Sequence, residues 1–227
     1  MYKFGVYNFN NNLDYHIQKS KNVFDNSTDV KLTGSKNLNS FYSINSIEVK
    51  KDLNNYLNDT LDTKLDWNFE YFKSGEPAGL HTDYDITPWD NRTSCRIDVG
   101  VIIPLFWNCK QPYTLMYNRI ADTPRKLIYR KGEMRYKDTN EIISYRDKWE
   151  FDNQVLEFNP KNTQYYNEYA DLKLDSVYEW KISTMLVFDT RRWHSSSWFL
   201  STNELPEKVS EYKCSIIGFG SVDVPCN

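Results

Sequence analysis

Hydrophobic residues in this chain recur mostly at every second position. Trp67, Phe69 and Tyr71 alternate with Asn68 and Glu70, and Ile97, Val99, Val101 and Ile103 alternate with Asp98, Gly100 and Ile102. Successive side chains of a strand point to opposite faces, so a period of two predicts strands with one buried face. Similar short runs lie at Lys3 to Asn8, Tyr113 to Tyr117, Lys126 to Arg130, Glu133 to Tyr136 and Ile142 to Tyr145. Others follow at Val155 to Phe158, Thr184 to Phe188, Trp193 to Phe199 and Tyr212 to Phe219. Clusters of Asn, Asp and Lys separate them, and strands this short and dense predict a sandwich or barrel.

One segment departs from the alternation. Val49, Leu53, Tyr56, Leu57 and Leu61 fall near helical spacing, with Ile47 just ahead and Glu48 and Lys50 on the solvated side. Ser46 stands where a hydroxyl can cap the first turn, so a helix is expected near 46–61. A single amphipathic helix ahead of many strands suits the covering of a barrel face. Residues 1–45 are Asn-rich and weakly periodic, and irregular structure is expected after the first strand. The expected organisation is one domain over 1–227: a flanking region at 1–65 and a mainly β core at 66–220, with an insertion within 119–179. No internal repeat or linker interrupts it.

Composition adds limits. Aromatic residues make up 16% of the chain and Gly and Pro number only 8 each, which agrees with strands. The formal charge of −3 is too small to indicate a charged partner. Locally, Arg119, Arg125, Lys126, Arg130, Lys131, Arg135 and Lys137 outnumber Asp122 and Glu133, with Tyr129 and Tyr136 among them. An acidic segment follows and restores balance, so a solvated hairpin is expected there and not a nucleic-acid surface. Tyr165, Tyr166, Tyr169 and Tyr178 suit either a substrate cleft or a strand surface. The longest apolar stretch, Val99 to Trp107, is too short for a bilayer and contains Pro104. The N-terminal residues lack the apolar run of a secretory leader. Cys95, Cys109, Cys214 and Cys226 show no Cys-x-x-Cys spacing and are expected as reduced thiols in a cytoplasmic protein without membrane association.

The candidate chemistry begins with histidine, of which there are three. His16 has no distinctive context and is expected at the surface. His81 and Asp83, two apart in Gly79-Leu80-His81-Thr82-Asp83, share one side of an extended segment, and Asp85 is a more distant competitor for the carboxylate role. If His194 joins them from a later strand, two nitrogens and one oxygen occupy one side of a metal and leave positions open. That set suits Fe(II) and equally resembles a hydrolytic zinc site. Trp193 and Trp198 flank His194, and core packing is the simpler role for both. Beyond His194, Lys213 shares a strand face with Ser215, Ile217 and Phe219. With Ile217 and Phe219 read as core, Lys213 points inward, where an unpaired ammonium is costly and a dicarboxylate ligand would offset the cost. The competing reading leaves Lys213 on a surface edge.

In their order along the chain these residues resemble the iron(II)- and 2-oxoglutarate-dependent dioxygenases, in particular the prolyl 4-hydroxylase-like branch. The match comprises His81-Thr82-Asp83, then His194, then Lys213-Cys214-Ser215. Tyr71-Phe72-Lys73-Ser74-Gly75 resembles the family's Tyr-x-x-Gly segment with one extra residue. Arg96 to Leu105 and Leu186 to Asp189 resemble the strands around the ligands, so the likeness spans roughly 66–220. It implies a double-stranded β-helix (jelly-roll) core with Fe(II) held by His81, Asp83 and His194. It also implies 2-oxoglutarate anchored by Lys213 and Ser215, with Tyr71 as an additional donor. The implied reaction consumes O2, turns 2-oxoglutarate into succinate and CO2, and hydroxylates a peptidyl (prolyl included) or small-molecule substrate, with ascorbate as an optional reductant. The family's Gly-Gly-x-Thr turn is replaced by Gln111-Pro112-Tyr113-Thr114, and Trp180-Lys181-Ile182-Ser183 lacks the usual Gly. A non-catalytic jelly-roll module and a zinc hydrolase are the competing functions.

Overall fold

The alternation resolves into two antiparallel sheets packed face to face. The computed structural model describes residues 3–26, 31–33, 38–78, 83, 95–120, 127–130, 133–136, 142–143, 174–202 and 209–224. The N-terminal region supplies β1 (Gly5–Asn8), α1 (Leu13–Asn26), β2 (Lys31–Thr33), β3 (Asn39–Ser43) and α2 (Ile47–Leu61). Next come β4 (Asp66–Ser74), β5 (Cys95–Trp107) and β6 (Tyr113–Ile120). The chain then forms β7 (Leu127–Arg130), β8 (Glu133–Tyr136) and β9 (Ile142–Ile143). It ends with β10 (Leu174–Glu179), β11 (Thr184–Asp189), β12 (Arg192–Ser196) and β13 (Lys213–Val224).

The larger sheet runs β1-β11-β5-β13-β4-β3-β2, and the smaller one facing it runs β10-β6-β12. This is the mainly β, jelly-roll core expected from the alternation. A separate sheet, β7-β8-β9, contains the expected hairpin, with Leu127 opposite Tyr136 and Arg130 opposite Glu133. The expected strand at Val155 to Phe158 and the cluster Tyr165, Tyr166 and Tyr169 lie outside the described residues. Among the described residues no helix is long and apolar enough to cross a membrane.

The two helices cover the outer face of the larger sheet. Leu53, Leu57 and Leu61 of α2 are buried with Trp67, Phe69 and Tyr71 of β4, Val99, Val101 and Ile103 of β5, and Cys214 and Ile216 of β13. Ser46 caps α2 as its sequence suggested, its hydroxyl accepting from the Val49 N–H at 3.4 Å. Asp62 closes the helix in the left-handed region at φ 51°, its N–H reaching back to the last turn.

Helix α1 was not expected, and its composition explains why. Two of its most buried residues are polar, His16 and Ser20 at 2% and 0% exposure, so its inner stripe does not stand out as apolar. The Ser20 hydroxyl is satisfied locally by the Ile17 carbonyl at 3.0 Å. His16 is thus a core residue and not the surface residue expected. Its Nδ1 shares a hydrogen bond of 2.9 Å with the Tyr71 hydroxyl, which ties the helix to β4. Burial depresses the His16 pKa to about 4 and raises that of Tyr71 above its usual range.

The inner face of the larger sheet meets the smaller sheet around Met116, Leu186 and Phe188, with Ile102 and Tyr178 half-buried beside them. Two backbone features shape this face. Pro104 lies in central strand β5, where proline cannot donate to the ladder, and the β13–β5 register slips between Cys214, opposite Phe106, and Ser215, opposite Pro104. Gly100 stands opposite Phe188, and a Cβ there would lie 2.4 Å from the phenyl ring.

Candidate active site

The polar residues of the inner face converge from β12, β13 and the segment around Asp83. Strand alternation puts His194 and Ser196 on one side of β12, and Lys213 and Ser215 on one side of β13. All four are buried, as is Asp83. The buried apolar residues of β13 are Cys214 and Ile216 on the helix side, whereas Ile217 and Phe219 are only half-buried. Lys213 therefore points between the sheets, as expected, although the residues that mark the main core are its neighbours on the opposite face.

Asp83 is fixed by the turn between β11 and β12. The Asp189 carboxylate accepts from the Arg191 backbone N–H and Nε, both at 2.9 Å, and from its Nη2 at 2.6 Å. This closes the turn and presents the Thr190 carbonyl, which accepts the Asp83 N–H at 2.9 Å. Near the other end of β12, the Ser196 N–H donates to the Ala78 carbonyl at 2.9 Å. The chain is thus tied before position 81 to β12 and after it to the turn that precedes β12. His81 itself lies outside the described residues.

The Asp83 Oδ2 and His194 Nε2 atoms are 3.3 Å apart. His194 Nδ1 lies 2.9 Å from the Arg192 carbonyl, and because a carbonyl only accepts, this nitrogen carries the proton and Nε2 is left toward Asp83. The Phe188 ring approaches the imidazole edge-on, with centroids 4.9 Å apart. Burial by itself lowers the His194 pKa, but the Asp83 carboxylate and the Arg192 carbonyl outweigh it, and the net shift is upward.

Lys213 lies in a pocket of neutral groups. Its Nζ donates to the Ser196 hydroxyl at 2.6 Å and stands 4.2 Å from the centre of the Trp180 ring and 5.0 Å from that of Phe199. Lys213 is 3% exposed, and burial lowers its pKa to about 7. Adjacent on the same strand face, the buried Ser215 hydroxyl has no hydrogen-bond partner among the described residues. A buried amine whose partners among the described residues are neutral, beside a hydroxyl with none there, is a donor pair that could take an anion.

Tyr71 does not belong to this group. It stands opposite Ile216 in the β13–β4 register and packs in the helix-side core, whereas Ser215 stands opposite Phe72. Its hydroxyl meets His16 on the far face of the sheet, which corrects its expected place beside Lys213. Ser196, Trp180 and Phe199 are site residues that the sequence reading did not single out. The step of two from His194 would have found Ser196, but the approach of Trp180 depends on a contact between separate strands.

The donor set suits a divalent metal. Two atoms bound to one cation at about 2.1 Å and at right angles lie about 3 Å apart, close to the Asp83–His194 separation. The protonated Nδ1, held by a backbone carbonyl, is the arrangement that aims the other ring nitrogen at a metal.

No protein-family model and no curated protein matches this sequence. Solved structures do match in shape. The epimerase SnoN in complex with Fe3+, alpha ketoglutarate and nogalamycin RO aligns with a TM-score of 0.54 and 9% identity, over 98% of this chain and 82% of that one. A second structure, described as the non-heme alpha ketoglutarate dependent epimerase SnoN from nogalamycin biosynthesis, gives 0.52 and 9% identity over 94% and 76%. At this identity the likeness is one of fold.

Proposed function

We propose that this chain is an Fe(II)- and 2-oxoglutarate-dependent oxygenase that hydroxylates a peptidyl substrate, prolyl included, or a small molecule. In this reading His81, Asp83 and His194 hold the metal, and Lys213 and Ser215 bind the distal carboxylate of 2-oxoglutarate. When bound, the iron and its cosubstrate would supply O2-dependent oxidation, with 2-oxoglutarate leaving as succinate and CO2. The chain's own residues position the reactants. Asp83 is held by the Thr190 carbonyl, His194 by that of Arg192, and Lys213 by the Ser196 hydroxyl and the rings of Trp180 and Phe199.

The observation that carries the reading is the pairing of two sites on one inner face. A zinc hydrolase accounts for Asp83 and His194 but gives no role to a buried Lys213 beside a Ser215 hydroxyl that has no partner among the described residues. A binding module accounts for neither. The SnoN likeness adds a fold in which Fe3+ and alpha ketoglutarate are bound.

The test is anaerobic absorption during addition of Fe(II) and then 2-oxoglutarate to the metal-free protein and to His194→Ala. The expected result is a visible charge-transfer band that needs both additions and is absent from the variant. A protein that retains zinc and hydrolyses substrate equally well after Lys213→Ala would be a hydrolase. Absence of any band, with metal binding also absent, would leave the binding module.

A further inference from the structure

Lys213 has no carboxylate partner among the described residues, yet it is held from three directions. Ser196 accepts its hydrogen bond, while Trp180 and Phe199 present their rings. Both rings lie within the roughly 6 Å at which an aromatic face attracts a cation, and the effect strengthens where water is excluded. Trp180 is the nearer ring and is itself fixed at several points. Its Nε1–H donates to the Thr114 hydroxyl at 2.9 Å, its backbone N–H donates to the Pro112 carbonyl at 3.0 Å, and its carbonyl accepts from the Gln111 side chain at 2.8 Å. Thr114 and Pro112 border or begin β6 in the smaller sheet, whereas Lys213 begins β13 in the larger one. The indole therefore links the two sheets at the ammonium.

We infer that Trp180, locked by Thr114, is a positioning residue that presets the Lys213 ammonium for a dicarboxylate. The inference rests on the proposed function and extends it to a residue that acts through Lys213. A carboxylate partner would neutralise Lys213 and compete with the ligand. An aromatic face orients the cation and leaves its charge to be matched. Fixing the side chain beforehand also removes part of the ordering cost that binding would otherwise carry.

The test is a double-mutant cycle on the Fe(II)-loaded protein, read as 2-oxoglutarate affinity from the charge-transfer band. Trp180→Leu is expected to weaken 2-oxoglutarate roughly tenfold, in line with a desolvated cation–aromatic contact, without changing Fe(II) affinity. In a Lys213→Met background the same substitution should have no further effect, since it acts only through the ammonium. Thr114→Val, which keeps the volume and removes the acceptor, should weaken 2-oxoglutarate by a few-fold and serves if Trp180→Leu does not fold. Parent-like affinity in both Trp180→Leu and Thr114→Val overturns the inference, as does an equal loss in the Lys213→Met background. A parent protein that forms no band removes the proposed function, and the inference with it.

Discussion

The two faces of the larger sheet handle buried polar groups in opposite ways. On the helix side, His16 and Tyr71 satisfy each other, and apolar side chains from both helices surround the pair. On the inner side, among the described residues, the Lys213 amine has no carboxylate partner and the Ser215 hydroxyl no hydrogen-bond partner. Adjacent residues of the same strands build both: Tyr71 and Ile216 face the helices, Ser215 the opposite sheet. A closed hydrogen bond fixes structure, and an open one reserves affinity for something that is not protein. In the proposed function, the inner face is where stability is exchanged for binding.

The sharpest break of the comparison is expected on the helix side. Leu57→Ala empties a fully buried position of α2 and should destabilise the protein by about 2–5 kcal/mol in denaturant unfolding, while 2-oxoglutarate affinity of the folded fraction stays unchanged. Next in size is a pH effect on the His16–Tyr71 pair. Because the folded His16 pKa is depressed to about 4 against an ordinary 6.5, the unfolded chain binds more protons between these values. Stability should therefore fall as pH drops through this window, by about 3 kcal/mol in all, and level out below it. Urea titrations at several pH values would measure the slope, and His16→Gln should remove it.

The inner face should respond with the opposite sign. Lys213→Met replaces a buried cation with an apolar chain of similar length and should raise the stability of the ligand-free protein by about 1 kcal/mol. The same variant should lose 2-oxoglutarate affinity by roughly 30-fold or more, since a charge-assisted contact is worth about 1.5–3 kcal/mol. Isothermal titration beside thermal unfolding would show whether the two effects part in this way. Loss of both stability and affinity would place Lys213 with the structural groups of the other face. The smallest effect is expected at Ser46→Ala, which removes the α2 cap and should cost about 1 kcal/mol with no change in ligand binding.

What could be read from the sequence follows the same division. The alternation in β4, β5 and β13, the α2 stripe and the Ser46 cap depend on local periods and were legible. The inward direction of Lys213 follows in the sequence only from reading Ile217 and Phe219 as core, and these prove half-buried, so the alternation gave the right face on a weak marker. Helix α1 was hidden because His16 and Ser20 interrupt its apolar stripe, and β10 because Asp175, Ser176 and Glu179 dilute its pattern. Tyr71 is the additional donor that the resemblance implies, through a segment that carries one extra residue. In a strand one residue is a change of face, so the displacement reverses the assignment. Trp180 was out of reach for a different reason: its place over Lys213 depends on how two sheets pack, which no local period records.

The space at Gly100 has a consequence for how this chain can vary. A methyl group there would overlap the Phe188 ring, whose edge lies against His194. It is the far end of the ring that the added carbon would meet, so the ring must shift, and the imidazole is its neighbour. Substitution of a residue with no functional group would then be felt at the histidine on the opposite sheet. Tolerance to mutation near this site is set by clearance as well as by chemistry, and an inventory of reactive side chains would pass over a position where a single carbon matters.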